Sequence, residues 1–99
     1  MKLYRAVGPD ELADLRLFHR LRNPDGILVK YFTLSEDEAV WYARQAVHAF
    51  GDPPYAIITL EIGVDLTSAA HVDRGIRVVV LGSERLAGLQ PWVVRTQVG

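Results

Sequence analysis

The segment from Ser35 to Gly51 constrains this chain more than any other, because both ends of a helix are written into it. Ser35-Glu-Asp-Glu38 matches a capping box: the serine hydroxyl accepts from the Glu38 amide, and the glutamate carboxylate reaches back. Ala39, Tyr42, Ala43, Ala46 and Phe50 recur at helical spacing and form an inner face, with Trp41, Gln45 and His48 on another side. Gly51 suits the left-handed residue that ends a helix, and Asp52-Pro-Pro54 prevents continuation. Strand-like segments lie on either side, so the fold combines helix and sheet.

Lys2 to Val7 reads as a first strand, stopped by Gly8-Pro9. Pro9 suits a first helical turn, Asp10 and Glu11 favour its positive dipole end, and Leu12, Leu15 and Phe18 make a buried stripe, giving a helix from Pro9 to about Leu21. Asn23-Pro-Asp-Gly26 is turn chemistry, and Ile27 to Thr33 is the second strand. Tyr55 to Ile62 alternates, with Ala56, Ile58, Leu60 and Ile62 on one face and Ile57, Thr59 and Glu61 on the other. Gly63 to Gly75 reads as irregular and polar. Ile76 to Leu81 is a continuous apolar run expected to be a central strand covered on both faces. Ser83 to Leu89 is a short helix or turn, and Trp92 to Val98 is a closing strand. Early helices and late strands, in the order β-α-β-α-β-β-β, indicate an α+β domain rather than a doubly wound parallel sheet.

Ninety-nine residues make one small domain, residues 1–99, with 49% apolar and 23% charged residues, the balance of a soluble globular protein. The formal charge of −1 argues against a dedicated nucleic-acid partner, which leaves a basic footprint. The absence of cysteine excludes disulfides, thiolate metal sites and cysteine nucleophiles. No apolar run approaches the ~20 residues of a membrane span, and the N-terminus turns polar too soon for a signal peptide, so a cytoplasmic location with no membrane partner is the expectation.

Chemistry concentrates in two places. Arg5 stands alone in an apolar strand, and its planar fork is suited to paired hydrogen bonds with a phosphate or carboxylate, unless it simply faces water. Lys30-Tyr-Phe-Thr-Leu-Ser35 brings a cation, aromatic rings and hydroxyls to a helix start, where an anion can bind. Thr33 and Ser35 also have ordinary roles as a β-former and a cap. His19, His48 and His71 fall in separate elements without metal-ligand spacing, so no metal site is expected.

These two fragments resemble the ADP-ribosyltransferase-like fold, in particular small domains of bacterial polymorphic toxins. Tyr4-Arg5 is similar to the family's first strand with its NAD-gripping arginine. Tyr31-Phe-Thr-Leu-Ser35 and the helix with Ala39-Val-Trp-Tyr42-Ala43 resemble its aromatic-and-hydroxyl strand and the helix after it, and the strand Ala56 to Ile62 follows in turn. The resemblance covers about two thirds of the chain. It implies that NAD is a substrate, that Arg5 grips its phosphates, that Thr33 and Ser35 shape the nicotinamide-ribose pocket, and that Tyr31 or Tyr42 lines it. It further implies a mono-ADP-ribosyltransferase or NAD glycohydrolase working through a ribosyl cation, with an acid near a late strand. The family's acid is a glutamate; that neighbourhood here reads Asp73-Arg-Gly-Ile-Arg-Val78, and Glu84, Glu61 and the shorter Asp73 are the candidates for its place.

Two other functions fit the same residues. One is a non-catalytic protein-interaction module, such as an antitoxin, an immunity protein or a regulatory subunit, with Trp41 and Trp92 as anchors for a protein target or cognate partner. The other is a small ribonuclease using His48 or His71 with Arg5 and Lys30.

Overall fold

The computed structural model describes residues 1–22 and 29–99. The turn expected at 23–26, and the first two residues of the expected second strand, lie outside the described residues. The elements are β1 (Lys2–Val7), α1 (Pro9–Phe18), β2 (Val29–Thr33), α2 (Glu36–Phe50), β3 (Tyr55–Glu61), a 3-10 turn (Thr67–Ala69), β4 (His71–Asp73), β5 (Ile76–Gly82), α3 (Ser83–Leu86) and β6 (Trp92–Val98). The domain is α+β. Its described strands form one six-stranded sheet in the order β4-β5-β2-β1-β3-β6, and every pairing is antiparallel.

Strand alternation divides the core in two. On one face Leu3 and Val7 of β1, Phe32 of β2, Ile58 and Leu60 of β3 and Val79 and Leu81 of β5 pack with Leu15 of α1 and Leu86 of α3. On the other, Tyr4 and Ala6 of β1 and Ile57 of β3 meet Ala39, Val40 and Ala43 of α2. The sheet thus lies between α1 with α3 on one side and α2 on the other. Burial of these apolar chains is the main favourable contribution to the fold.

The ends of α2 agree with the sequence. Ser35 Oγ accepts from the Glu38 amide at 3.3 Å and donates to Glu38 Oε1 at 2.7 Å, and Gly51 takes the left-handed conformation with φ 68°. Its packed face differs from the expected one. Val40, not Tyr42, joins Ala39 and Ala43 in the core, and Phe50 is 76% exposed. The helix is rotated so that its alanines and Val40 meet β1 and β3, and the Tyr42–Phe50 side is displaced toward β2.

Three further expectations are corrected. α1 stops at Phe18, because His19 adopts φ 58° while its amide bonds to Leu15 O at 2.7 Å; Phe18 is half-exposed under the Arg22 guanidinium instead of buried. The stretch from Gly63 to Gly75 is not wholly irregular: it holds the 3-10 turn and β4. Arg74 (φ 52°) and Gly75 (φ 83°) join β4 to β5 by a two-residue turn with both central residues left-handed, the geometry that matches strand twist in tight hairpins. β5 is an internal strand, as expected, between β4 and β2, with Val78 buried on one face and Val79 and Leu81 on the other; Val80 is only partly buried. Among the described residues no helix is long and apolar enough to cross a membrane.

Candidate functional site

α2 packs chiefly on β1 and β3 and more lightly on β2 and β6, so one helix leaves the β2-β5-β4 flank of that face uncovered. The uncovered flank and the adjoining side of α2 enclose a cleft of about 340 Å³. That volume falls in the lower part of the range typical of small-molecule sites. The helix wall is the stripe Tyr42, Gln45, Ala46, Ala49 and Phe50, one step round from the packed face. The small side chains of Ala46 and Ala49 keep the space open.

The floor comes from strand residues that pleating directs to the α2 side. Tyr4 lies opposite Thr33, and Thr33 lies opposite Val78, so β1, β2 and β5 each contribute one residue at the same level. Tyr31, two residues before Thr33, is 53% exposed and meets the His71 ring edge-on with centroids 6.1 Å apart. Tyr31, Tyr42, Tyr55 and Phe50 surround the space with rings able to cover a flat ligand. The β4-β5 turn brings Asp73 and Arg74 to the rim.

Arg5 occupies a seam in the sheet. Among the described residues β1 and β2 pair only at Tyr4 and Thr33, whereas β1 and β3 are in register along six consecutive pairs. Where β1 and β2 part, backbone groups lose their ladder partners and need others. Arg5 Nη1 donates to the Tyr31 carbonyl at 3.0 Å and supplies one. By alternation the Arg5 side chain leaves β1 on the α1 face. There Nε and Nη2 donate to Glu11 Oε2 and Oε1 at 2.8 and 3.0 Å, while the residue also lines the cleft. Lys30, on the same face of β2 and only 6% exposed, places Nζ 3.3 Å from Glu11 Oε2. Burial alone would raise the Glu11 pKa; the Arg5 hydrogen bonds and the charges of Arg5 and Lys30 outweigh it and hold the carboxyl below its usual range.

At the rim the Tyr42 hydroxyl donates to Asp73 Oδ2 at 2.7 Å and lies 3.0 Å from the Asp73 carbonyl. Burial, then the hydrogen bond and charge of Asp73, push the Tyr42 pKa up to about 12, so the phenol is a proton donor at neutral pH. Tyr55 is likewise raised, first by its 2.7 Å bond to Asp52 and then by burial.

Of the residues singled out in the sequence, Arg5, Tyr31, Thr33, Tyr42 and Asp73 line this one cleft. Ser35, Glu61 and Glu84 do not. Ser35 is taken up by its cap, Glu61 ends β3 opposite Lys2, and Glu84 lies in the first turn of α3. Thr33 presents little hydroxyl to a ligand, because Oγ1 donates to the Ser35 carbonyl at 2.7 Å. The α2 N-terminus is also away from the cleft, which runs beside the later turns. Gln45, Phe50, Tyr55 and Arg74 belong to the lining and were not singled out. Arg74 carried a usable signal, since Asp73-Arg-Gly75 before an apolar run is a hairpin turn with arginine in the position that asparagine more often takes. Among the described residues no three histidine, aspartate or glutamate side chains converge on a possible metal position. No protein-family model, no curated protein and no solved structure matches the chain.

Proposed function

We propose that the cleft binds a nicotinamide dinucleotide and that the domain is ADP-ribosyltransferase-like, cleaving NAD or transferring its ADP-ribose, in the manner of a bacterial toxin or effector. One observation carries the reading: a guanidinium, a set of tyrosines and a carboxylate, drawn from β1, β2, α2 and the β4-β5 hairpin, line a single cleft of ligand size. Arg5 and Arg74 supply positive charge for the phosphates, Tyr31 and Phe50 the faces for a flat ring, and Asp73 the acid. In this reading the ribose–nicotinamide C–N bond breaks with its electron pair leaving on the ring nitrogen, which releases neutral nicotinamide. The Asp73 carboxylate stabilises the ribosyl cation electrostatically. Water or an acceptor side chain then bonds to the ribosyl carbon and loses a proton. Tyr42 holds Asp73 in place and, as a neutral phenol, does not compete with it for the cation.

The test is calorimetric titration of NAD with an assay of nicotinamide release. Arg5→Lys keeps the charge but loses the fork by which Glu11 and the Tyr31 carbonyl hold Arg5 in the seam, and it should weaken NAD binding along with Arg5→Ala. Asp73→Asn should keep binding and lower turnover by about 10²-fold or more. No binding by the intact domain at millimolar NAD would remove the basis of the proposal. A second reading, a non-catalytic interaction module, is favoured by one feature: Asp73 Oδ2 is already engaged by Tyr42, and the other two candidate acids lie outside the cleft. Binding of NAD without nicotinamide release, or capture of a protein partner indifferent to Arg5→Ala, would decide for it.

A further inference from the structure

Beneath the cleft two cations share one anion. Glu11 gives both carboxylate oxygens to Arg5, and Oε2, 2.8 Å from Arg5 Nε, is also 3.3 Å from Lys30 Nζ. The three side chains carry a formal charge of +1. Lys30 is 6% exposed and stands on the α1 face, and unlike Arg5 it is not part of the cleft lining. A buried ammonium is costly unless paired, and among the described residues this one forms an ion pair with Glu11 alone, which is already shared. Among the described residues Asp14 also feels the Lys30 charge, but its carboxylate is already committed elsewhere. Asp14 on α1 is held by Arg22 at 2.6 Å. A methionine would fill this position at similar length without the cost, so packing does not account for the charge.

We propose that Lys30 is a charge-balancing residue for the anion site at the cleft floor: by drawing on Glu11 it prevents that carboxylate from cancelling Arg5. Glu11 fixes the guanidinium in the β1-β2 seam, and a lone Arg5–Glu11 pair would be neutral and a poor host for phosphate. With Lys30 behind it, the cluster orients Arg5 and retains a net positive charge toward the cleft. The inference rests on the reading of the cleft as a site for a phosphate-bearing ligand, and it assigns Lys30 a role through Arg5 without contact to the ligand.

The cluster charge can be set by substitution. It is zero in Lys30→Met, +1 in the wild type and in Glu11→Gln/Lys30→Met, and +2 in Glu11→Gln. Inorganic pyrophosphate, NAD and uncharged nicotinamide are titrated into each variant by NMR, at low and high salt. Pyrophosphate affinity should follow the charge, with about ten-fold per unit at low ionic strength and less at high salt, and the double variant should return to the wild-type value. Nicotinamide affinity should stay constant through the series. Lys30→Arg should behave as wild type. Affinities that ignore the series, a parallel loss of nicotinamide, or no pyrophosphate binding by the wild type would overturn the inference. If Lys30→Met does not fold, the Glu11→Gln and double variants still distinguish +2 from +1. NAD binding that is indifferent to Lys30 would refute this role and leave the proposed function standing. Charge-ordered pyrophosphate binding without NAD binding would do the reverse.

Discussion

Replacing Glu11 by glutamine tests whether the cluster under the cleft also holds the fold together. The substitution keeps the shape, removes one charge, and leaves Lys30 buried and Arg5 in its seam without the carboxylate they share. Breaking a buried ion pair by removing one partner costs about 3–5 kcal/mol. Here Arg5 and Glu11 each keep 22% of their side-chain surface in contact with water, and the amide still accepts one hydrogen bond, which reduces the expectation to about 2 kcal/mol. For a domain of this length that corresponds to a fall of roughly 8–16 °C in Tm. Thermal and urea unfolding of both proteins across acid and neutral pH would measure it. The folded-state pKa of Glu11 is depressed below its ordinary 4.5, so its contribution is complete above that value and lost as pH falls through the folded pKa. Wild type and Glu11→Gln should therefore converge in acid. Adding Lys30→Met should restore part of the loss at pH 7, because it removes the stranded ammonium. A difference under about 0.5 kcal/mol at pH 7 would reduce the cluster to an ordinary surface pair, and a gap unchanged in acid would show that charge is not its cause.

Ser35→Ala should cost about 1 kcal/mol through loss of the α2 cap and leave NAD affinity unchanged, since Ser35 is outside the cleft; unfolding and calorimetry read the two effects separately. In an ultraviolet phenolate titration, Tyr42, identified by difference from Tyr42→Phe, should ionise at about 12 and move back toward 10 in Asp73→Asn. Its raised folded pKa makes the neutral phenol stabilising below about 10, with that contribution lost as pH rises through about 12.

How much of this was legible in the sequence follows from the range over which each signal acts. Local signals were read well: the capping box at Ser35 and Glu38, the Gly51 terminator, and the alternation of β3 all return within a residue or two. Signals that depend on a left-handed residue carried by the wrong side chain were not. His19 ends α1 and Arg74 turns the β4-β5 hairpin, although neither is the glycine or asparagine that usually announces such a position.

The cleft itself depends on a choice the sequence leaves open. α2 has two adjacent apolar stripes, one with Ala39, Val40 and Ala43, the other with Tyr42, Ala46 and Phe50. Periodicity alone identifies a broad apolar side and does not say which stripe meets the sheet. Small side chains permit closer approach, and here Ala39 and Ala43 lie fully buried against β1 and β3. That leaves the larger aromatic stripe beside strands it cannot cover. A helix that packed instead by its aromatics would fill the space they now border and close the route to the β1-β2 seam. The alanines of α2 thus do two things at once: they draw the helix onto one half of the sheet, and they leave Tyr42 and Phe50 facing Tyr31, Thr33 and Asp73 across the other.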